Sequence, residues 1–146
     1  KCSIGKRGLT SKKREGDLKT PLGNFKFNLL LYRKDRIKKI NTKIKKKAIK
    51  RNFGWCDDPN SSNYNKLVKF PFSQSAERLY LKENIYDLIL VINFNTKPII
   101  KRRGSAIFLH IANKKFSATK GCIAIKKKSL IKILPFITRK TRIFIS

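Results

Sequence analysis

Two residues in the last third of the chain have types and a spacing suited to acyl transfer. His110, the only histidine, closes the apolar run AIFLH, and twelve residues later Cys122 stands behind a glycine in TKGCIAI. A thiol nucleophile needs a base to take its proton, backbone N–H groups to hold a developing oxyanion, and access for an acyl substrate. His110 is a candidate base. Gly121 permits a tight return that leaves the Cys122 N–H free, and Lys120 beside it favours a thiolate below the ordinary thiol value of about 8.5. The bland reading is that both are packing residues, because cysteine is among the most buried residue types and a lone histidine behind AIFL is often a satisfied core residue. Spacing alone leaves both readings open.

The remaining composition narrows the alternatives. Cys2, Cys56 and Cys122 lie too far apart for a C-x-x-C redox or zinc motif, and one histidine adds only one more ligand, so neither a metal nor a cofactor is expected. An odd cysteine count leaves at least one thiol free in a monomer; a Cys2–Cys56 disulfide and three reduced thiols are both allowed. With 37 Lys and Arg against 8 Asp and Glu, the chain carries +29 and attracts any polyanion. Lysine, isoleucine and asparagine abound together, however, and these are residues of A/T-rich codons. Part of the charge therefore records genome composition rather than a nucleic-acid partner. The longest strongly apolar run, LILVINF, is far short of the roughly 18 residues of a membrane span.

The elements that must position His110 and Cys122 read as mostly β. The opening IGKRGLTSKKREGDLKTPLGNF is turn-rich and suits a long loop or hairpin connections between short strands. FKFNLLLY, YDLILVINF, AIFLHIA and TRIFIS read as strands. In DRIKKINTKIKKKAIKR, Ile37, Ile40, Ile44 and Ala48 fall at helical spacings, but the many β-branched residues and the missing cap favour short strands or loops. NFGWCDDPNSSNYNKLVKFPF has loop composition. Its Trp55, Asp57 and Asp58 either line a cleft or form a turn before Pro59 with the indole on the core. KSLIKILPFI predicts a short helix capped by Ser129 and ended near Pro135. At 146 residues this is one mainly β domain with one or two short helices.

Five blocks in order, GDLKTPLGNF, GWCDDP, SAERLY, GSAIFLHIA and TKGCIAI, resemble the L,D-transpeptidase catalytic-domain (YkuD) family, in its branch of short stand-alone envelope proteins. The resemblance runs from about Cys2 to the terminal strand, nearly the whole chain, and is weakest from Ile37 to Arg51. It implies a β-sandwich-like fold, and a further strand or hairpin before Lys1. It also implies that Cys122 is the nucleophile, His110 the general base, and Gly121 part of the catalytic turn. The implied reaction attacks a peptidoglycan stem tetrapeptide, releases its terminal D-amino acid and passes the thioester to an amine. The alternative acceptor is water, as in an L,D-carboxypeptidase. The implied location is the bacterial periplasm or envelope, with stem peptides as partners and no specific nucleic acid.

For substrate contact the candidates are Trp55, Asp57, Asp58, Ser105, Thr119 and Arg14. A diamino-acid side chain in the stem needs a carboxylate and an apolar wall. Many members of the family carry arginine two positions after the cysteine, where this chain has Ala124; Arg14, Lys120 and Lys126 are the conjectured replacements. Two readings from other classes remain: a basic nucleic-acid-binding module, and a degenerate wall-binding relative without turnover. If the lysines are mainly compositional, duplex DNA binds weakly, without sequence preference, and is released between low salt and about 150 mM. Filter-binding titrations at several salt concentrations check this, and tight sequence-selective binding at the upper end would favour the nucleic-acid module.

Overall fold

The most apolar run of the chain, Leu88–Ile92, is buried along its whole length and sits in the middle of the fold in the computed structural model, which describes residues 1–146. In chain order the strands are β1 (Cys2–Ser3), β2 (Leu9–Thr10), β3 (Thr20–Pro21), β4 (Gly23–Tyr32), β5 (Lys46–Ala48), β6 (Phe53–Cys56), β7 (Leu67–Lys69), β8 (Ala76–Arg78), β9 (Leu88–Ile92), β10 (Phe108–Ile111), β11 (Ile123–Ile125) and β12 (Arg142–Ile145). One helix, α1 (Lys127–Ile133), runs into a 3₁₀ turn at Leu134–Phe136, and another 3₁₀ turn spans Asn84–Tyr86. The main sheet has the order β1-β11-β10-β9-β4-β12, with β5 also paired to β4. β10 and β11 run parallel, as do β4 and β5. A second sheet, β7-β6-β8, is antiparallel, and β2 pairs with β3.

Strand periodicity divides the core. Leu88, Leu90 and Ile92 point to one face of the main sheet, where they meet Leu30, Leu109 and, from α1, Leu130. Ile89 and Val91 point to the other, against Phe108, Cys122 and the small sheet's Phe53 and Trp55. Each such side chain contributes about 1.5–3 kcal/mol by leaving water, so a sheet buried on both faces tolerates short flanking strands. The result is the expected mainly β sandwich, with the small sheet packed on one face and the helix on the other.

The reading of the Ile37–Arg51 stretch as loop or short strand holds, while other local expectations change. Ile37 and Ile44 are buried and Ile40 packs against the same core, but their segment is loop up to β5, since pairing with β4 satisfies its backbone better than an uncapped helix would. The segment of loop composition around Trp55 instead contains β6 and β7, because Phe53 and Trp55 are drawn into the core. Ser129 lies inside α1 rather than at its cap; the helix starts one turn earlier, where the Leu130 N–H donates to the Lys126 carbonyl at 3.0 Å. All three cysteines are free thiols, Cys2 exposed and the other two buried.

One buried hydroxyl ties the start of the chain to the segment before β11. Thr20 is fully buried; its Oγ1 accepts the Gly5 N–H at 2.8 Å and donates to the Gly121 carbonyl at 2.9 Å. Thr20→Val removes that hydroxyl at nearly constant volume and strands two backbone groups. We expect a loss of about 2–4 kcal/mol in urea unfolding, mostly recovered by Thr20→Ser. A loss under about 1 kcal/mol for the valine variant would show that the tie carries little.

Candidate active site

The parallel pairing of β10 with β11 sets His110 opposite Ala124, and alternation places Phe108, His110, Cys122 and Ala124 on one face. The nucleophile candidate thus stands diagonally across from the only imidazole, one strand away. Both line a cavity of about 290 Å³ together with Gly121, Thr119, Ser105 and Asp57. The cavity opens on the side of the main sheet that carries the small sheet, next to the 3₁₀ turn of Tyr86.

The turn into Cys122 demands glycine. Gly121 has φ +140°, and a Cβ there would lie 2.9 Å from the Lys19 carbonyl oxygen. Thr119 closes the turn: its Oγ1 donates to the Cys122 carbonyl at 2.6 Å and accepts the Gly121 N–H at 3.1 Å. The Gly121–Cys122 peptide is trans, so a carbonyl pointing at Thr20 turns the Cys122 N–H the opposite way. That N–H makes no hydrogen bond within the chain.

Burial governs the ionisation of the pair. The Cys122 Sγ donates to the Ala106 carbonyl at 3.1 Å, and removal from water, reinforced by the charge of Glu77, pushes the thiol up to about 12. The same desolvation lowers the His110 imidazole, against the opposing pull of the Ile111 and Ile85 carbonyls. A carbonyl can only accept, so the His110 nitrogen 3.0 Å from the Ile111 oxygen, Nδ1, carries the proton, and Nε2 is left as an acceptor. The resting state is neutral thiol beside neutral imidazole. The expectation of a thiolate favoured by Lys120 is therefore overturned, because Lys120 is exposed while the sulfur is buried.

Trp55, Asp58 and Arg14 do not join the cavity. Trp55 is buried against Phe108 at 5.2 Å between ring centroids, and its Nε1 donates to Asn65 Oδ1, which also accepts the Ala106 N–H. The indole is core, reaching the site only through the residue whose carbonyl holds the thiol. Asp58 Oδ1 caps a turn by accepting the Asn60 N–H at 2.8 Å. Arg14 is exposed, and its backbone N–H is held by Asp17 at 2.8 Å.

The structure adds Lys13, Glu77 and Tyr86, which the sequence reading missed. Lys13 is buried; its Nζ donates to Asp17 Oδ1 and to the Arg14 carbonyl, both at 2.6 Å. Burial opposes ionisation of Asp17, but the Lys13 bond and the Arg14 and Lys19 N–H groups outweigh it and hold its carboxyl below the usual range. The Tyr86 hydroxyl donates to Glu77 Oε1 at 2.7 Å, and its ring meets His110 edge-on at 5.2 Å. Burial, with Asp57 nearby, raises Glu77 despite the Tyr86 bond. Glu77 was legible as one of eight acids in a very basic chain, inside the block SAERLY. For Lys13 the sole signal was its position four residues before Asp17.

The chain matches the L,D-transpeptidase catalytic-domain (YkuD) family over residues 1–145 and belongs to that family. No curated protein and no solved structure matches it.

A thiol raised from its ordinary value to about 12 is favoured as the neutral form by folding, so its contribution to stability is complete below about pH 9 and is lost as pH rises towards about 12. Between about pH 7 and about pH 9 the fold is unaffected by this group while the thiolate fraction climbs tenfold per unit. Iodoacetamide alkylation of Cys122, followed by peptide mass mapping, is expected to accelerate by about that factor per pH unit without a plateau. A rate already level near neutral pH would show a resting thiolate–imidazolium pair.

Proposed function

We propose that the protein is a cysteine acyltransferase acting on peptidoglycan stem tetrapeptides in the bacterial envelope. The observation that carries this reading is the β10–β11 register, which sets a free thiol and a tautomerically fixed imidazole on one face of one cavity in a chain of the L,D-transpeptidase family.

In the proposed sequence His110 Nε2 takes the Cys122 proton as the sulfur attacks the carbonyl between the third and fourth stem residues. The proton transfer is coupled to attack, since neither group is charged at rest. The oxyanion is met by the unpaired Cys122 N–H. Imidazolium then gives its proton to the departing amine, the D-amino acid leaves, and a thioester remains. An acceptor amine or water attacks the thioester, His110 takes its proton, and the thiol is restored. Gly121 and Thr119 shape the turn, while Ser105 and Asp57 contact the stem peptide. No helix is long and apolar enough to cross a membrane. The family's substrate is what supports an envelope location. The domain assigned to this chemistry is residues 1–146.

Incubation with purified disaccharide tetrapeptides, with mass analysis of both products and protein, tests the proposal. The expected results are free D-amino acid, a tripeptide or cross-linked product, and a transient adduct on Cys122. Cys122→Ala abolishes all three without unfolding the protein, and His110→Ala lowers turnover by about 10²–10⁴-fold. Product release that survives Cys122→Ala would overturn the assignment.

A further inference from the structure

The carboxylates of this chain are distributed unevenly. Three of its eight, Glu15, Asp57 and Glu77, line the cavity of Cys122, whereas only Lys13 and Lys120 of its 37 cations do. Lys13 is occupied by Asp17 and the Arg14 carbonyl, and Glu15 accepts the Tyr64 hydroxyl at 2.5 Å. Asp57 and Glu77 are left. Glu77 stands opposite Trp55 across β6 and β8, and Asp57 lies two residues beyond Trp55, so the two acids share a face.

Their acceptors are not satisfied. Asp57 Oδ1 is buried without a hydrogen-bond partner, as is the Oγ of Ser105, a residue 7% exposed. Tyr86 engages one Glu77 oxygen, leaving Oε2. A buried carboxylate oxygen without a partner is costly, and more so when a neighbouring carboxylate adds repulsion. Such an arrangement is stable in function when a cationic donor completes it, and a primary ammonium has three hydrogens for the three open acceptors.

We propose that Asp57, Glu77 and Ser105 form a subsite for a primary ammonium group of the stem peptide, beside the reacting sulfur. The inference rests on the acyltransferase reading for the identity of the ligand, but its geometry does not. The ammonium belongs either to the donor's side chain or to the attacking acceptor. In both cases a local anionic site reverses, within one cavity, the field of a chain carrying +29.

Thiol reagents of different charge test the subsite without turnover. Cys122 is modified with the cationic aminoethyl, the anionic sulfonatoethyl and the neutral methyl methanethiosulfonate, and rates are read by peptide mass mapping. Exposed Cys2 is the internal reference. Cys2 is expected to favour the anionic reagent, as the net charge dictates. At Cys122 the cationic-to-anionic ratio is expected to exceed that at Cys2 by about tenfold or more. Asp57→Asn and Glu77→Gln each erase most of that excess, whereas Glu83→Gln, the same charge change at an exposed residue, preserves it. Equal ratios at the two cysteines, or an excess that survives both variants, overturn the subsite. A Cys122 inert to all three reagents in the native protein overturns both the subsite and the acyltransferase reading.

The two proposals otherwise fail separately. Thioester formation without charge preference removes the subsite alone, and charge preference without a thioester removes the acyltransferase alone. Where both hold, slower acylation by a donor whose side-chain amine is acetylated assigns the ammonium to the donor. Unchanged acylation, with aminolysis of the thioester reduced relative to hydrolysis in the Asp57 and Glu77 variants, assigns it to the acceptor.

Discussion

The hydroxyl of Thr20 joins two parts of the chain a hundred residues apart, and the geometry of the site hangs on it. It holds the Gly5 N–H on one side and the Gly121 carbonyl on the other, in a position with no access to water. Because the Gly121–Cys122 peptide is planar and trans, fixing the carbonyl also fixes the direction of the Cys122 N–H. Thr119 then anchors the carbonyl of Cys122 itself, so both peptide groups flanking the sulfur are held. Most of the residues used here lie in the turn-rich start of the chain and in the short turn before β11. Neither segment contributes much to the core, yet together they fix the backbone on both sides of Cys122.

Around this turn, a buried polar network replaces solvent. Trp55 reaches the site through Asn65, whose side chain bridges the indole, the Ala106 N–H and the carbonyls of Phe94 and Asn95. The Ala106 carbonyl in turn accepts the hydrogen bond of the thiol. Every member is paired, which a low-dielectric interior requires. The same dryness keeps thiol and imidazole neutral. A neutral buried thiol is less reactive and less readily oxidised than an exposed thiolate.

The position two residues after the cysteine shows how local identity and site chemistry separate. Ala124 lies opposite His110 and lines the cavity. Lys13, supplied from the loop between β2 and β3, is the buried cation lining the cavity, and Asp17 holds its ammonium in place. Lys126, one of the conjectured replacements, does not line the cavity. The opposite charge comes from Asp57, just past β6, and Glu77 on β8, so the positive wall comes from a loop and the negative one from the small sheet and its edge.

Much of the architecture is written in local pattern. Alternation in YDLILVINF and AIFLHIA identifies two central strands, because the period of two is a property of the backbone and survives any tertiary context. Cys122, His110 and Gly121 stand out because few residue types do this chemistry, and glycine's left-handed φ has few substitutes. Tertiary structure alone decided the rest. Trp55, Asp58 and Arg14 look like site residues by type, but whether an aromatic or a charge faces a cavity depends on strand register, and register is set by partners distant in sequence. Ile37, Ile40 and Ile44 have helical spacing, and pairing of the following segment with β4 overrides it. Ionisation was least legible of all. The neighbours of Cys122 in sequence are basic and suggest a thiolate, whereas its neighbours in space bury it, and the cost of removing charge from water exceeds what an exposed lysine returns.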